Sequence, residues 1–188
     1  MADRILVFFG STDGQTAKIA AAIGATLRSC GLEPDIVRAG GDADPNPKNY
    51  AGVIVAASIH AGGYQRAVQR WVRAHAAALH DRPNTFVSVC LAVVNRSPQV
   101  DRDLAAIITR FVEATGWQPR EVKAVAGALK YRQYGWLKRW MMKRIVAKAG
   151  GETDTSRDYE YTDWEDLKEF VQRFATTCAA PSLQLLSR

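Results

Sequence analysis

Five short apolar runs punctuate the chain, at Arg4–Phe9, Asp35–Arg38, Gly52–Ala57, Thr85–Leu91 and Val122–Gly127. Most are β-branched and almost continuously apolar, the pattern of strands covered on both faces. Between them the period lengthens. Gln15–Ser29, Tyr64–Leu79 and Val100–Thr115 repeat apolar residues at helical spacing, and a last helix is predicted over Asp163–Thr177. Val68, Trp71, Val72 and Leu79 mark one core-facing stripe; Leu104, Ile107, Ile108, Phe111 and Val112 mark another. Strands alternating with helices through short links predict right-handed crossovers and a parallel sheet. The expected architecture is an α/β three-layer sandwich around a five-stranded parallel sheet, order 2-1-3-4-5.

The first strand feeds Gly10-Ser-Thr-Asp-Gly-Gln-Thr16, which opens into the first helix. The leading N–H groups of a helix lack intrahelical acceptors and favour an anion. Ser11, Thr12 and Thr16 add hydroxyls, Asp13 and Gln15 lie between them, and Gly14 permits close backbone approach. The loop is neither a Walker A motif nor a dinucleotide fingerprint. It resembles the FMN-phosphate loop of flavodoxins, and the expected topology is then flavodoxin-like. The plainer alternative is a strand-turn-helix with Ser11 or Asp13 as N-cap.

In open α/β sheets a ligand sits beyond the carboxyl ends of the strands at the switch point, here between strands 1 and 3. The loops Gly10–Thr16, Ser58–Gly63 and Leu91–Ser97 are expected to meet there. The first would hold phosphate. The second, with Ser58, Ile59, His60 and flexible glycines, suits one face of a flavin ring. The third, with Leu91, Ala92 and Val93, would cover the other face.

Composition narrows the class. With 188 residues and 47% hydrophobic content the chain suits one domain over 1–188, with an insertion at approximately 129–158. The N-terminus enters a strand directly, so no secretory signal is expected, and no apolar run approaches the ~20 residues of a membrane span. Cys30, Cys90 and Cys178 are widely spaced, and His60, His75 and His80 make no ligand set, so reduced thiols and no metal are expected.

Charge is unevenly placed. From Val122 to Gly151 stand eight basic residues and no acid: Lys123, Lys130, Arg132, Lys138, Arg139, Lys143, Arg144 and Lys148. Trp136 and Trp140 are interleaved with them, and eight acids follow between Glu152 and Glu169. This stretch suits anionic lipid headgroups, or the carboxylates of a flat apolar substrate, or simply a solvated helix face. Nucleic acid is disfavoured, because no recognition motif accompanies the charge.

Three further blocks carry a more specific resemblance: Ala57-Ser-Ile-His60 with Gly62 and Tyr64, Ala126-Gly-Ala-Leu-Lys-Tyr131, and Gly150-Gly-Glu-Thr-Asp-Thr155 followed by Tyr161-Thr-Asp-Trp164. With the first loop, they make the chain resemble the bacterial flavodoxin-like, quinone-dependent protoporphyrinogen IX dehydrogenase (protoporphyrinogen oxidase) family over almost its whole length. The resemblance implies an FMN oxidoreductase of haem biosynthesis that oxidises protoporphyrinogen IX to protoporphyrin IX and passes electrons to menaquinone or ubiquinone. It implies a cytoplasmic protein peripherally associated with the inner membrane, and leaves a homo-oligomer open. It extends the cofactor-binding set to Gly127, Ala128 and Asp154. Lys130, Arg132, Trp136, Lys138, Arg139, Trp140, Lys143 and Arg144 become candidates for substrate or membrane contact. No catalytic acid or base is assigned. The alternatives are a flavodoxin-type electron carrier, for which a pI near 9.4 is unusual, and an NAD(P)H:quinone reductase.

Overall fold

The computed structural model describes residues 3–95, 97–129 and 159–184. Five strands, β1 (Arg4–Gly10), β2 (Glu33–Arg38), β3 (Gly52–Ser58), β4 (Asn84–Cys90) and β5 (Val122–Ala126), form a parallel sheet of order β2-β1-β3-β4-β5. This is the expected flavodoxin-like order. Among the described residues the α-helices are α1 (Gln15–Ser29), α2 (Arg66–His80), α3 (Pro98–Thr115) and α4 (Trp164–Gln184). A second, two-stranded sheet pairs β6 (Ala128–Leu129) antiparallel to β7 (Tyr159–Glu160).

Side chains alternate across each strand, and the core divides accordingly. Ile5, Val7, Ile54, Val87 and Val125 pack with Ile19, Ile23 and Leu27 of α1 and Phe170, Val171 and Phe174 of α4. On the opposite face Leu6, Phe8, Val53, Val55 and Phe86 pack with Val68, Trp71 and Val72 of α2, Phe111 of α3 and Trp117. Trp71 stacks on Phe8 with ring centroids 3.9 Å apart. Two glycines allow the layers to close: a Cβ on Gly24 would lie 2.5 Å from Ile36 Cδ1, and one on Gly52 would lie 2.5 Å from Cys178 Sγ.

Several boundaries differ from expectation for identifiable reasons. β2 begins at Glu33 and includes Pro34, tolerated because β2 is an edge strand. α2 starts at Arg66, since Tyr64 and Gln65 belong to the preceding loop. α3 starts two residues early, with Ser97 accepting from the Val100 N–H and Pro98 in the first turn. The apolar Leu91–Asn95 run forms a 3₁₀ turn. Tyr159–Glu160 form β7, which pairs with β6 and does not extend the main sheet.

Candidate functional site

The carboxyl ends of β1, β3, β4 and β5 surround a cavity of about 180 Å³ lined by Ser11, Asp13, Gln15, Thr16, Ser58, Ile59, His60, Ala61, Val89, Leu91, Gly127 and Ala128. Most of the cofactor-binding candidates named from the sequence therefore converge on one concavity. Thr12 and Gly14 belong to the same loop but do not line the cavity. Val93 lines a neighbouring cavity with Val94, Ala126 and Tyr161. Asp154, Lys130, Arg132, Trp136, Lys138, Arg139, Trp140, Lys143 and Arg144 lie outside the described residues.

The N-terminus of α1 bears on the two readings of the first loop. Its N-cap position is Gly14, in the left-handed region at φ 82°, and no side chain caps it. Neither Ser11 nor Asp13 occupies the N-cap position that the plainer reading gave them. A β-branched or bulky residue would be strained at that φ, which explains the glycine. The first turn carries no acid. Around it the hydroxyls Ser11 Oγ and Thr16 Oγ1, and the carbonyl Gln15 Oε1, are buried without a hydrogen-bond partner. Leaving such atoms unsatisfied costs about 1–3 kcal/mol each, so their clustering at an uncapped helix start fits an anionic, hydroxyl-bearing ligand. The Ser11 and Thr16 hydroxyls can donate to a phosphate group, whereas Gln15 Oε1 can only accept.

Two glutamines brace the loops, and neither role was visible in the sequence. Gln65 Nε2 donates to Ser58 Oγ at 2.8 Å and to Thr12 Oγ1 at 3.2 Å, joining the first and second loops. Gln15 Nε2 donates to Thr162 Oγ1 at 3.0 Å, and Thr162 donates to the Ala126 carbonyl at 2.9 Å. Lys18 Nζ meets Glu160 Oε2 at 2.8 Å on the same side. Arg38, at the end of β2, donates to the Ser11 carbonyl at 3.2 Å.

The second loop is tighter than its glycines suggest. Ala61 at φ 49° and Gly62 at φ 77° make a two-residue turn closed by His60 N–H to Gly63 O at 2.8 Å and Gly63 N–H to His60 O at 3.1 Å. Arg110 of α3 reaches the Gly62 carbonyl at 3.3 Å. In the third loop the main-chain N–H groups of Ala92 and Val93 interact with the Cys90 sulfur. Burial pushes the Cys90 thiol up, and those two amides only partly oppose it. Ala92 and Val93 thus direct amides inward to Cys90. Among the described residues no group of three or more His, Cys, Asp or Glu could hold a metal ion, and no helix is long and apolar enough to cross a membrane.

Comparison with known proteins agrees with this arrangement. Residues 6–156 match the family described as Flavodoxin domain. The protoporphyrinogen IX dehydrogenase [quinone] of Escherichia coli strain K12 is 34% identical over 184 residues, covering 96% of this chain and 99% of the relative. Its namesake from Leishmania major is 30% identical over 176 residues, covering 92% of this chain and 74% of the relative. The solved flavodoxin of Streptococcus pneumonia TIGR4 superposes with a TM-score of 0.55 at 16% identity, covering 95% of this chain and 99% of that one. That likeness speaks for the fold alone. Sequence match, sheet order and loop architecture together show that the chain belongs to the flavodoxin-domain family of quinone-dependent protoporphyrinogen IX dehydrogenases, a family of oxidoreductases.

Proposed function

We propose that this protein binds FMN and oxidises protoporphyrinogen IX to protoporphyrin IX, delivering the electrons to menaquinone or ubiquinone. The observation that carries the proposal is the uncapped start of α1 beside the unpartnered Ser11 and Thr16 hydroxyls. When bound, FMN supplies a two-electron acceptor that the protein's own groups only hold and orient. Phosphate is held by the α1 amides with Ser11, Thr12 and Thr16. The Ser58–Gly63 turn, stiffened by its paired main-chain bonds, takes one face of the ring; Leu91 and Gly127–Ala128 bound the other side. Six electrons must leave the substrate, so three rounds of reduction and quinone reoxidation complete the reaction.

Quinones reside in the bilayer, and the substrate carries two propionates. The basic Lys130–Lys148 stretch suits either anionic lipid or those carboxylates, which makes the protein peripheral to the cytoplasmic face of the inner membrane. The test is anaerobic: FMN-loaded protein, protoporphyrinogen IX and a quinone, followed by porphyrin fluorescence. Porphyrin formation well above the protein-free rate is expected. No acceleration, with ready flavin reduction by NAD(P)H, would assign the chain to nicotinamide:quinone chemistry.

A further inference from the structure

We propose that Gln65 is a positioning residue of the anion site, one that fixes the Thr12 and Ser58 hydroxyls as hydrogen-bond acceptors and so leaves their own protons to the bound ligand. The inference rests on the FMN reading above and concerns how this chain reads the phosphate.

Gln65 stands at the N-cap position of α2, yet its side chain makes no cap hydrogen bond. It turns away from its own helix. Both hydrogens of the amide are committed, one to Ser58 Oγ at 2.8 Å and one to Thr12 Oγ1 at 3.2 Å. A hydroxyl has one proton to give and two lone pairs to accept with. Having accepted from Gln65, each hydroxyl directs its proton elsewhere, and among the described residues neither has a protein acceptor for it.

Packing holds the amide in this pose. A Cβ built on Gly10 would lie 2.9 Å from Gln65 Oε1 and 2.5 Å from Val68 Cγ2, so the side chain lies flat on the bare Gly10 backbone. The consequence is unfavourable in isolation, because Gln65 Oε1 is buried with no partner. A polar residue that forgoes its helix cap and strands its own carbonyl, in order to grip two loops, violates local rules in the way functional sites do. Thr12 belongs to the phosphate loop, so its O–H is left to donate a hydrogen bond to an oxyanion there.

The test measures flavin affinity by quenching of flavin fluorescence, using FMN and riboflavin, which differ by the phosphate. Gln65→Met keeps length and charge. It should raise the FMN Kd about tenfold while moving the riboflavin Kd less than about threefold. Thr12→Val should do the same, and the double variant should bind FMN no more weakly than Thr12→Val alone, because both remove one device. Thermal melting verifies that each variant is folded; should Gln65→Met fail, Gln65→Leu replaces it. Equal losses for both flavins, or multiplying losses in the double variant, would overturn the positioning role. Wild-type protein that binds neither flavin would overturn the functional reading along with it, whereas wild-type binding with an unaltered Gln65→Met would overturn this inference only.

Discussion

Gln15 and Thr162, separated by 147 positions in the chain, are joined by a buried 3.0 Å hydrogen bond. Because Thr162 also donates to the Ala126 carbonyl, it cannot rotate freely to release Gln15. The first turn of α1 is thereby fastened to the end of β5 and to the chain leaving β7. The anion loop is thereby linked to the chain around Thr162.

Removing that fastening should be measurable without any cofactor. Thr162→Val would leave Gln15 Nε2 buried and unpaired, at about 1–3 kcal/mol. Urea denaturation of the flavin-free protein should report a loss in that range, and Thr162→Ser should restore most of it. A Thr162→Val protein as stable as wild type would show that the bond carries nothing.

Gly14→Val places a β-branched residue at φ 82°. Left-handed backbone costs roughly 1–2 kcal/mol for an ordinary L-residue and more for valine, and the loop must shift to relieve it. The expected outcome is a folded protein purified with little flavin, read from its visible absorption. Full flavin content would mean the phosphate lies elsewhere.

Ala61 is the reverse case. It is the one non-glycine among the described residues with positive φ, at 49°. Ala61→Gly should relieve that strain and raise stability by about 1 kcal/mol, partly offset by the added freedom of the unfolded chain. Thermal melting of the two proteins side by side gives the sign directly.

Alkaline pH should destabilise the fold through Tyr64. Burial, first, pushes its hydroxyl up to about 12; the bond shared with Ser88 opposes this, and Cys90 adds a small further rise. The unfolded side chain ionises near its ordinary value of 10.0. Between those two values the unfolded chain has lost a proton that the native state keeps, so stability falls as pH rises from 10 toward 12. Tyr64→Phe should flatten the decline of melting temperature across that window, although it also forfeits the 2.7 Å contact with Ser88. An unchanged slope would assign the alkaline loss to other groups, Cys178 and Tyr50 among them, since both are also raised to about 12.

The basic stretch is testable on vesicles. Replacing Lys138, Arg139, Lys143 and Arg144 with Gln should weaken sedimentation with anionic liposomes by about 1 kcal/mol per charge that lies at the surface. Binding unaffected by all four changes would leave the stretch as a solvated face.

Fold and loop placement were readable from local pattern. Unbroken β-branched runs such as Val53–Ala57, set between amphipathic helices such as Arg66–His80, admit few topologies, and the switch-point rule then puts Ser11, Ser58 and Leu91 at one end of the sheet. Gly14 before a helix marked the anion loop for a conformational reason that any glycine at such a place shares. Which atoms there lack partners was undecided until the chain folded, because hydrogen bonding between distant residues has no periodicity. Only the tertiary structure showed that Ser11 and Asp13 leave the N-cap position of α1 to Gly14, that Gln65 forsakes its own helix for Thr12 and Ser58, and that Thr162 claims Gln15 across 147 positions of the chain. Apolar periodicity is written in neighbours a few residues apart; the satisfaction of a buried amide is settled by whatever side chain packing brings within 3 Å.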